Sequence, residues 1–340
     1  MRVAIVNDMQ LAVECLCRII ISGGHELAWI ARNGEEAIAS CLSDKPDIVL
    51  MDLYMPVMNG VEATRQIMSQ AACPILVVTS DIQQHAARTF EAMGAGALDA
   101  VNTPQVDMQN NSAGIQELLY KIDVIQTLTT GLRRIRKNTV PLPAKQKWIS
   151  AVPLIVIGAS AGGPAVLAEI ISTLPETLNA AVIIVQHVDV RFASELACWL
   201  DRQTKLSVCT AAQGDVPTAG QVLIAETNSH LVLDGEGRIS YCSEPSGVIY
   251  QPSVDVFFDS VCSHWHGHVL ALMLTGMGGD GAAGLLKLHK KGVMTLAQNK
   301  ESCAVYGMPK AAIELGAARF VMTPEEMSRK IVSWAEDVKV

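Results

Sequence analysis

Short, largely apolar runs alternate with segments of helical periodicity twice along this chain, and no other feature restricts its fold as strongly. In the first third the runs are Val3–Val6, Leu27–Ile30, Ile48–Met51, Ile75–Val78 and Ala97–Val101. Helical spacing follows them, for example in Gly60–Met68 and Ile82–Met93. Strands apolar on both faces need cover on both faces, which helices of about 10–15 residues between parallel strands supply. Five such units before Pro104 predict a small doubly wound α/β domain with a parallel sheet of order 2-1-3-4-5. A polar stretch follows, then a helical pattern over Ile115–Leu128. The next stretch, GLRRIRKNTVPLPAKQKW, is basic and carries Pro141 and Pro143, which predicts an exposed linker. The first domain is therefore assigned to residues 1–128, the linker to 129–150 and a second domain to 151–340.

The second domain repeats the α/β pattern. Leu154–Ile157, Ala181–Val185, Val222–Ala225 and Val269–Leu274 are expected strands, with helices over Pro164–Ser172 and Ser194–Leu200. Leu231–Leu233 and Gly237–Cys242 predict a hairpin beside a doubly wound sheet. A chain of 340 residues suits two domains at the usual ~150 each. Its 26 basic and 34 acidic residues leave a formal charge of −8, with no broad footprint for nucleic acid or anionic lipid. The basic cluster Arg133, Arg134, Arg136 and Lys137 is read as a solvated linker or a seam between domains. No apolar run approaches the ~18–20 residues of a membrane span, so no direct membrane insertion is expected. Val3–Val6 is too short for a signal-peptide core, and the expected compartment is the cytoplasm. The nine cysteines are scattered without C-x-x-C pairing, which fits reduced, packed thiols.

Chemistry is concentrated at predicted strand ends. Asp8 follows the first strand and Asp52 the third, neighbours at the carboxyl edge of a 2-1-3-4-5 sheet. Two adjacent carboxylates are best satisfied by a hard divalent cation, and Mg²⁺ is the natural choice. Thr79 ends the fourth strand at the same edge and offers a hydroxyl to a bound anion. In the second domain Ser160 lies in Gly158-Ala-Ser-Ala-Gly162, between a strand and a helix opening at Pro164. Such a turn exposes the hydroxyl above the sheet, close to free helix N–H groups that suit an oxyanion. Ser160 needs a base, and His187 ends the strand AAVIIVQH at the same edge. Asp280, in LTGMGGDG after another buried strand, is expected to accept the Nδ1–H of His187. The order Ser…His…Asp differs from the Ser…Asp…His of α/β-hydrolases. Ser160 also occupies the second glycine position of a dinucleotide-binding G-x-G-x-x-G. His264, His266 and His268 alternate, but no nearby acid or Cys completes a zinc set, so they are read as a polar lead-in with Trp265 packed beneath.

Asp8, Asp52 with the Met55–Gly60 turn, Thr79 and the Gly94–Pro104 segment together resemble the receiver domain of response regulators, which has a flavodoxin-like fold. The resemblance implies that Asp52 accepts a phosphoryl group from a sensor histidine kinase and that Thr79 reports the modification. It also implies that Asp8, Asp52 and the Tyr54 carbonyl hold Mg²⁺. Three positions depart from the pattern: Asn7 stands for an acid, Thr103 for a Lys and Ala100 for a common aromatic. A cation at ~4 Å from a phosphoryl oxygen is worth up to about 4 kcal/mol at an effective dielectric near 20. Driving a two-state switch from 1:99 to 99:1 takes about 5.5 kcal/mol. The missing Lys therefore bears directly on how far phosphorylation can drive the switch.

GASAGGP, VQH, YQPSVDVFF, LTGMGGDG and AVYGMP, in that order behind a receiver, resemble the protein-glutamate methylesterases of chemotaxis, the CheB family. The resemblance spans nearly the whole chain. It implies hydrolysis of glutamate γ-methyl esters on methylated chemoreceptors and, in many members, deamidation of glutamines. Carried over by motif, Ser160 is the nucleophile, His187 the base and then acid, and Asp280 its orienter, while the Met277 N–H helps form an oxyanion hole. Mg²⁺ serves only the receiver, and hydrolysis needs no cofactor. Ala161 stands where many members have Thr, and HVDVRF replaces a proline-rich stretch after the His. The VND start and VNTP segment are similar to a surface-sensing branch whose output is cyclic-di-GMP synthesis. The expectation is an esterase whose Ser160 edge is covered by the receiver until Asp52 is phosphorylated. Its rivals are a non-catalytic regulator with a decayed esterase domain and a serine esterase of small molecules.

Overall fold

The computed structural model describes residues 1–82, 84–104, 112–130, 152–245 and 250–338, in two compact units, Met1–Leu132 and Arg133–Val340. Nearly all of the expected linker, with its basic cluster, lies outside the described residues. In the first unit the elements are β1 (Arg2–Val6), α1 (Gln10–Ser22), β2 (Glu26–Ala31), α2 (Gly34–Ser43), β3 (Ile48–Met51), α3 (Gly60–Gln70), β4 (Ile75–Thr79), α4 (Ala86–Gly94), β5 (Asp99–Asn102) and α5 (Ser112–Thr130). The sheet runs β2-β1-β3-β4-β5, all parallel. Every side chain of β3 and β4 is buried, because helices cover both faces. Val13, Leu16, Ile19 and Ile20 of α1 supply the apolar stripe against Val3, Ile5 and Leu50. Asn59 caps α3, its side chain accepting from Glu62 N–H at 3.0 Å, which ends the turn after Asp52. The α4 helix begins at Ala86 rather than Ile82, and the Ile82 N–H donates to Asn102 Oδ1 at 2.9 Å.

The second unit comprises β6 (Leu154–Ala159), α6 (Gly163–Ser172), β7 (Ala181–Gln186), α7 (Val190–Asp201), β8 (Ser207–Thr210), β9 (Gln221–Ile224), β10 (His230–Leu233), β11 (Ile239–Cys242), α8 (Val254–His264), β12 (Val269–Met273), α9 (Ala282–Lys290), β13 (Met294–Gln298), α10 (Met308–Glu314), β14 (Phe320–Met322) and α11 (Pro324–Asp337). Its parallel seven-stranded sheet has the order β14-β13-β12-β6-β7-β9-β8, and β10 and β11 form a separate antiparallel hairpin. The chain builds outward from β6 to β7 and beyond, then returns to place β12 on the other side of β6. That reversal opens a crevice at the carboxyl ends of β6 and β12, as the reversal between β1 and β3 does in the first unit. Phe257 and Phe258 of α8 are fully buried against the sheet. His264 closes α8 and donates from Nδ1 to the Leu233 carbonyl at 2.6 Å, while Trp265 is buried. Among the described residues no helix is long and apolar enough to cross a membrane.

Candidate active site

The ends of β6, β7 and β12 bring three polar side chains to the second crevice. Ala159 pairs with Gln186, and the His187 N–H donates to the Ala159 carbonyl at 3.0 Å, so Ser160 and His187 leave the sheet side by side. His187 meets Asp280 through Nε2, 2.8 Å from Oδ2. This corrects the expectation that Nδ1 would make that bond. Asp280 lies in the loop beyond β12, held by the Ser253 hydroxyl and the Val254 N–H, and from there it meets the ring nitrogen distal to the His187 backbone. Nδ1 of His187 is left buried and without a partner. The Ser160 hydroxyl, also free of hydrogen bonds among the described residues, belongs to the neighbouring strand end. Tyr250 stacks on the imidazole at 3.9 Å and 8°, which holds the ring in its plane. Burial alone would raise the Asp280 carboxyl, but hydrogen bonds from His187, Ser253 and the Val254 N–H outweigh it and hold the group below the usual carboxylate range.

Two turns supply N–H donors. The Ser160 N–H donates to the Thr275 carbonyl at 3.0 Å and Thr275 Oγ1 donates to the Ala161 carbonyl at 2.9 Å, which ties the turn after β6 to the turn after β12. Gly162 takes φ 81°, a left-handed conformation that lets α6 start immediately behind Ser160. At Gly276 a side chain is impossible, since a Cβ there would lie 2.8 Å from that of Ser160. The Gly276 carbonyl accepts the N–H groups of Gly307 and Met308 at 3.0 and 2.9 Å. Across the same planar peptide the Met277 N–H points the other way, and it has no partner among the described residues. The Ala161 N–H is also free there.

Several residues of this site carried no assigned role in the sequence. Gln186, fully buried, donates from Nε2 to the Ser160 carbonyl at 2.8 Å. The Tyr250 hydroxyl donates to the Met277 carbonyl at 3.2 Å. Ser253 and Val254 donate to Asp280 at 2.7 and 2.6 Å. Gln186, Tyr250 and Ser253 lie inside the motifs VQH and YQPSVDVFF, so the motifs marked the place without the function. His230 had no signal beyond being a lone His on a strand.

In the first unit Asp8 and Asp52 leave β1 and β3 at the same edge. Asp52 is buried, its Oδ1 accepting from Leu53 N–H at 2.7 Å and Tyr54 N–H at 3.4 Å. Asn7 donates from its amide to Asp52 Oδ2 at 3.1 Å. Burial, with the Asp8 charge added, pushes the Asp52 carboxyl up to about 6 despite the hydrogen bonds from Leu53 and Tyr54. Such a pair of carboxylates is short of positive charge. Two carboxylates and a backbone carbonyl are hard oxygen donors of the kind Mg²⁺ takes, an ion that needs few protein ligands and keeps waters. Thr79 ends β4 with its hydroxyl buried and unpartnered, as an anion-binding hydroxyl would be. Thr103 donates its N–H to the Thr79 carbonyl at 2.8 Å and brings no cation. The Tyr54 ring packs on His85 at 4.4 Å, with the Arg88 guanidinium 4.6 Å above it.

A doubly wound receiver joined in one chain to an α/β unit with Ser, His and Asp at its switch point defines a response regulator whose effector is a hydrolase. Residues 3–110 match the response regulator receiver domain and residues 155–331 match the CheB methylesterase domain. The chain belongs to the CheB methylesterase family. It is 48% identical over 332 residues to protein-glutamate methylesterase/protein-glutamine glutaminase 3 of Pseudomonas aeruginosa, covering 97% of this chain and 98% of that one. To protein-glutamate methylesterase/protein-glutamine glutaminase 1 of Bordetella avium it is 50% identical over 322 residues, 94% of this chain and 92% of the relative. The crystal structure of the Thermotoga maritima CheB methylesterase catalytic domain aligns with a TM-score of 0.52 at 33% identity, over 55% of this chain and 100% of that one.

Proposed function

We propose that this protein hydrolyses glutamate γ-methyl esters on methylated chemoreceptors and deamidates glutamines there, at a rate raised by phosphoryl transfer from a sensor histidine kinase to Asp52. The observation that carries the reading is the Asp280–His187 bond at 2.8 Å, with the other ring nitrogen buried and unpaired and Ser160 following the adjacent strand. Ser160 Oγ attacks the ester carbonyl and its proton passes to Nδ1 of His187. The developing oxyanion is taken by the N–H groups of Met277 and Ala161, each such donor worth about 3–4 kcal/mol. His187 returns the proton to the departing methoxide, and water then cleaves the acyl-enzyme by the same relay. Asp280 stays ionised and stabilises the imidazolium. In the receiver Asp8, Asp52 and the Tyr54 carbonyl would hold Mg²⁺, whose charge when bound offsets that of the incoming phosphoryl group. Thr79 then meets a phosphoryl oxygen with its free hydroxyl.

Methanol release from a methylated receptor tests the esterase. Ser160→Ala should lower it by about 10³-fold or more, since triad members act as a unit. An undiminished rate rejects the nucleophile. Labelling by a small phosphodonor should vanish in Asp52→Asn, and persistent labelling would move the acceptor elsewhere.

A further inference from the structure

The Asp280 carboxylate is gripped by the amino end of α8. Its Oδ2 accepts from the Val254 N–H at 2.6 Å as well as from His187, and its Oδ1 accepts from the Ser253 hydroxyl at 2.7 Å and the Asp255 N–H at 3.3 Å. Among the described residues no Lys or Arg pairs with it. Ser253 is the pivot. Its oxygen also caps α8 by accepting from the Val256 N–H at 3.4 Å, and its own N–H donates to Nδ1 of His230 at 3.1 Å. His230 lies fully buried on β10, its Nε2 facing the Pro245 carbonyl at 3.4 Å. An imidazole that accepts at Nδ1 carries its proton at Nε2, so His230 is neutral. Burial, which pulls its titration below the usual range, acts in the same direction.

We propose that Ser253 and His230 are positioning residues of the esterase: together they set the amino end of α8 so that its donors hold the Asp280 carboxylate against Nε2 of His187. The inference rests on the reading of Ser160, His187 and Asp280 given above. Each link is directional. His230 accepts the Ser253 N–H, which fixes the backbone of the cap, and the cap hydroxyl then reaches Oδ1. Without the hydroxyl, negative charge concentrates on a carboxylate already bonded to the base, and the pair binds a proton more tightly. The titratable groups facing Asp280 are His187 from the end of β7, His230 from β10, Asp255 on α8 and Tyr250. Of these only His187 shares the reacting proton, so the change falls on the acid limb of kcat/KM.

The test is methanol release by the full-length protein from methylated receptor, followed from about pH 5 to pH 9. Ser253→Ala should lower kcat/KM about tenfold and move the acid limb upward by about half a pH unit. Ser253→Thr keeps a capping hydroxyl and should recover most of the rate and the original limb. His230→Asn places a carbonyl oxygen where Nδ1 was and should work, whereas His230→Gln reaches past that point and should behave like Ser253→Ala. An acid limb unmoved in Ser253→Ala, with loss equal at every pH, would reduce Ser253 to a helix cap and overturn the proposal. If Ser253→Ala does not fold, the His230 pair decides, and equal activity of the two variants overturns it. Failure of the underlying esterase reading looks different: Ser160→Ala would then still release methanol.

Discussion

Asn7 places an amide, not a third carboxylate, against Asp52, and that single side chain sets the charge around it. Its N–H donates to Asp52 Oδ2 at 3.1 Å, while its oxygen accepts from the Met9 N–H at 2.8 Å, so the residue is locked in that orientation. A third carboxylate at this position would repel the other two in the free protein and attract a divalent cation more strongly. Asn7→Asp should therefore tighten Mg²⁺ binding by about tenfold, measured by calorimetric titration. An unchanged affinity would mean that position 7 does not face the ion. The residues that could be singled out from the chain are polar groups following buried strands inside recognisable motifs: Asp52, Ser160, His187 and Asp280. What could not be read was the ring nitrogen used by His187. That depends on where the loop after β12 and the amino end of α8 hold Asp280, which no local sequence encodes.

Among the elements, the strands buried on both faces were legible because unbroken apolar runs have few other uses. Three strands of the second sheet went unrecognised. β8 and β14 are sheet edges, short and partly exposed: β8 has polar ends, and the apolar run of β14 is only three residues long. β13 is buried yet reads as polar, because Thr295 donates to the Ala317 carbonyl at 2.7 Å and Gln298 accepts the Thr275 N–H at 2.8 Å. Polar side chains satisfied across the fold cannot be told from exposed ones in a linear sequence. The amino end of α8 holds a second, half-buried carboxylate, Asp255, whose Oδ1 accepts the Gly284 N–H at 2.6 Å. Burial and the neighbouring Asp280 charge push Asp255 up to about 7. With its folded value above the ~3.9 of an unfolded Asp, its contribution is fully present below about pH 4 and lost as pH rises through 7. Asp255→Asn keeps the accepting oxygen without the charge. It should stabilise the protein at pH 8 by on the order of 1 kcal/mol and show no gain at pH 4, as read from thermal midpoints. A gain of equal size at both pH values would exclude ionisation as its source.

Across the whole molecule, a receiver domain and a methylesterase domain share one chain, each with a crevice where its strand order reverses. Thr103 contributes only backbone, its N–H on the Thr79 carbonyl, and offers no cation to a phosphoryl group. Thr103→Lys should widen the ratio of methanol release with phosphodonor to that without it, by several-fold if the added cation supplies even about 1 kcal/mol to the active state. The same ratio in both proteins would show that activation does not pass through this position. The linear sequence was enough to determine two doubly wound domains, their order and the candidate reacting side chains. Apolar periodicity and strand-end chemistry are local properties, written within about a dozen residues. Only the tertiary structure decided which nitrogen of His187 faces Asp280, which N–H groups are left free for an oxyanion, and that Ser253 and His230 stand behind the carboxylate. The first is a relation between groups 93 residues apart, and the turns that carry the free N–H groups are tied across 114. They arise from strand order and helix placement, because a hydrogen bond requires a distance and an angle that spacing along the chain does not specify.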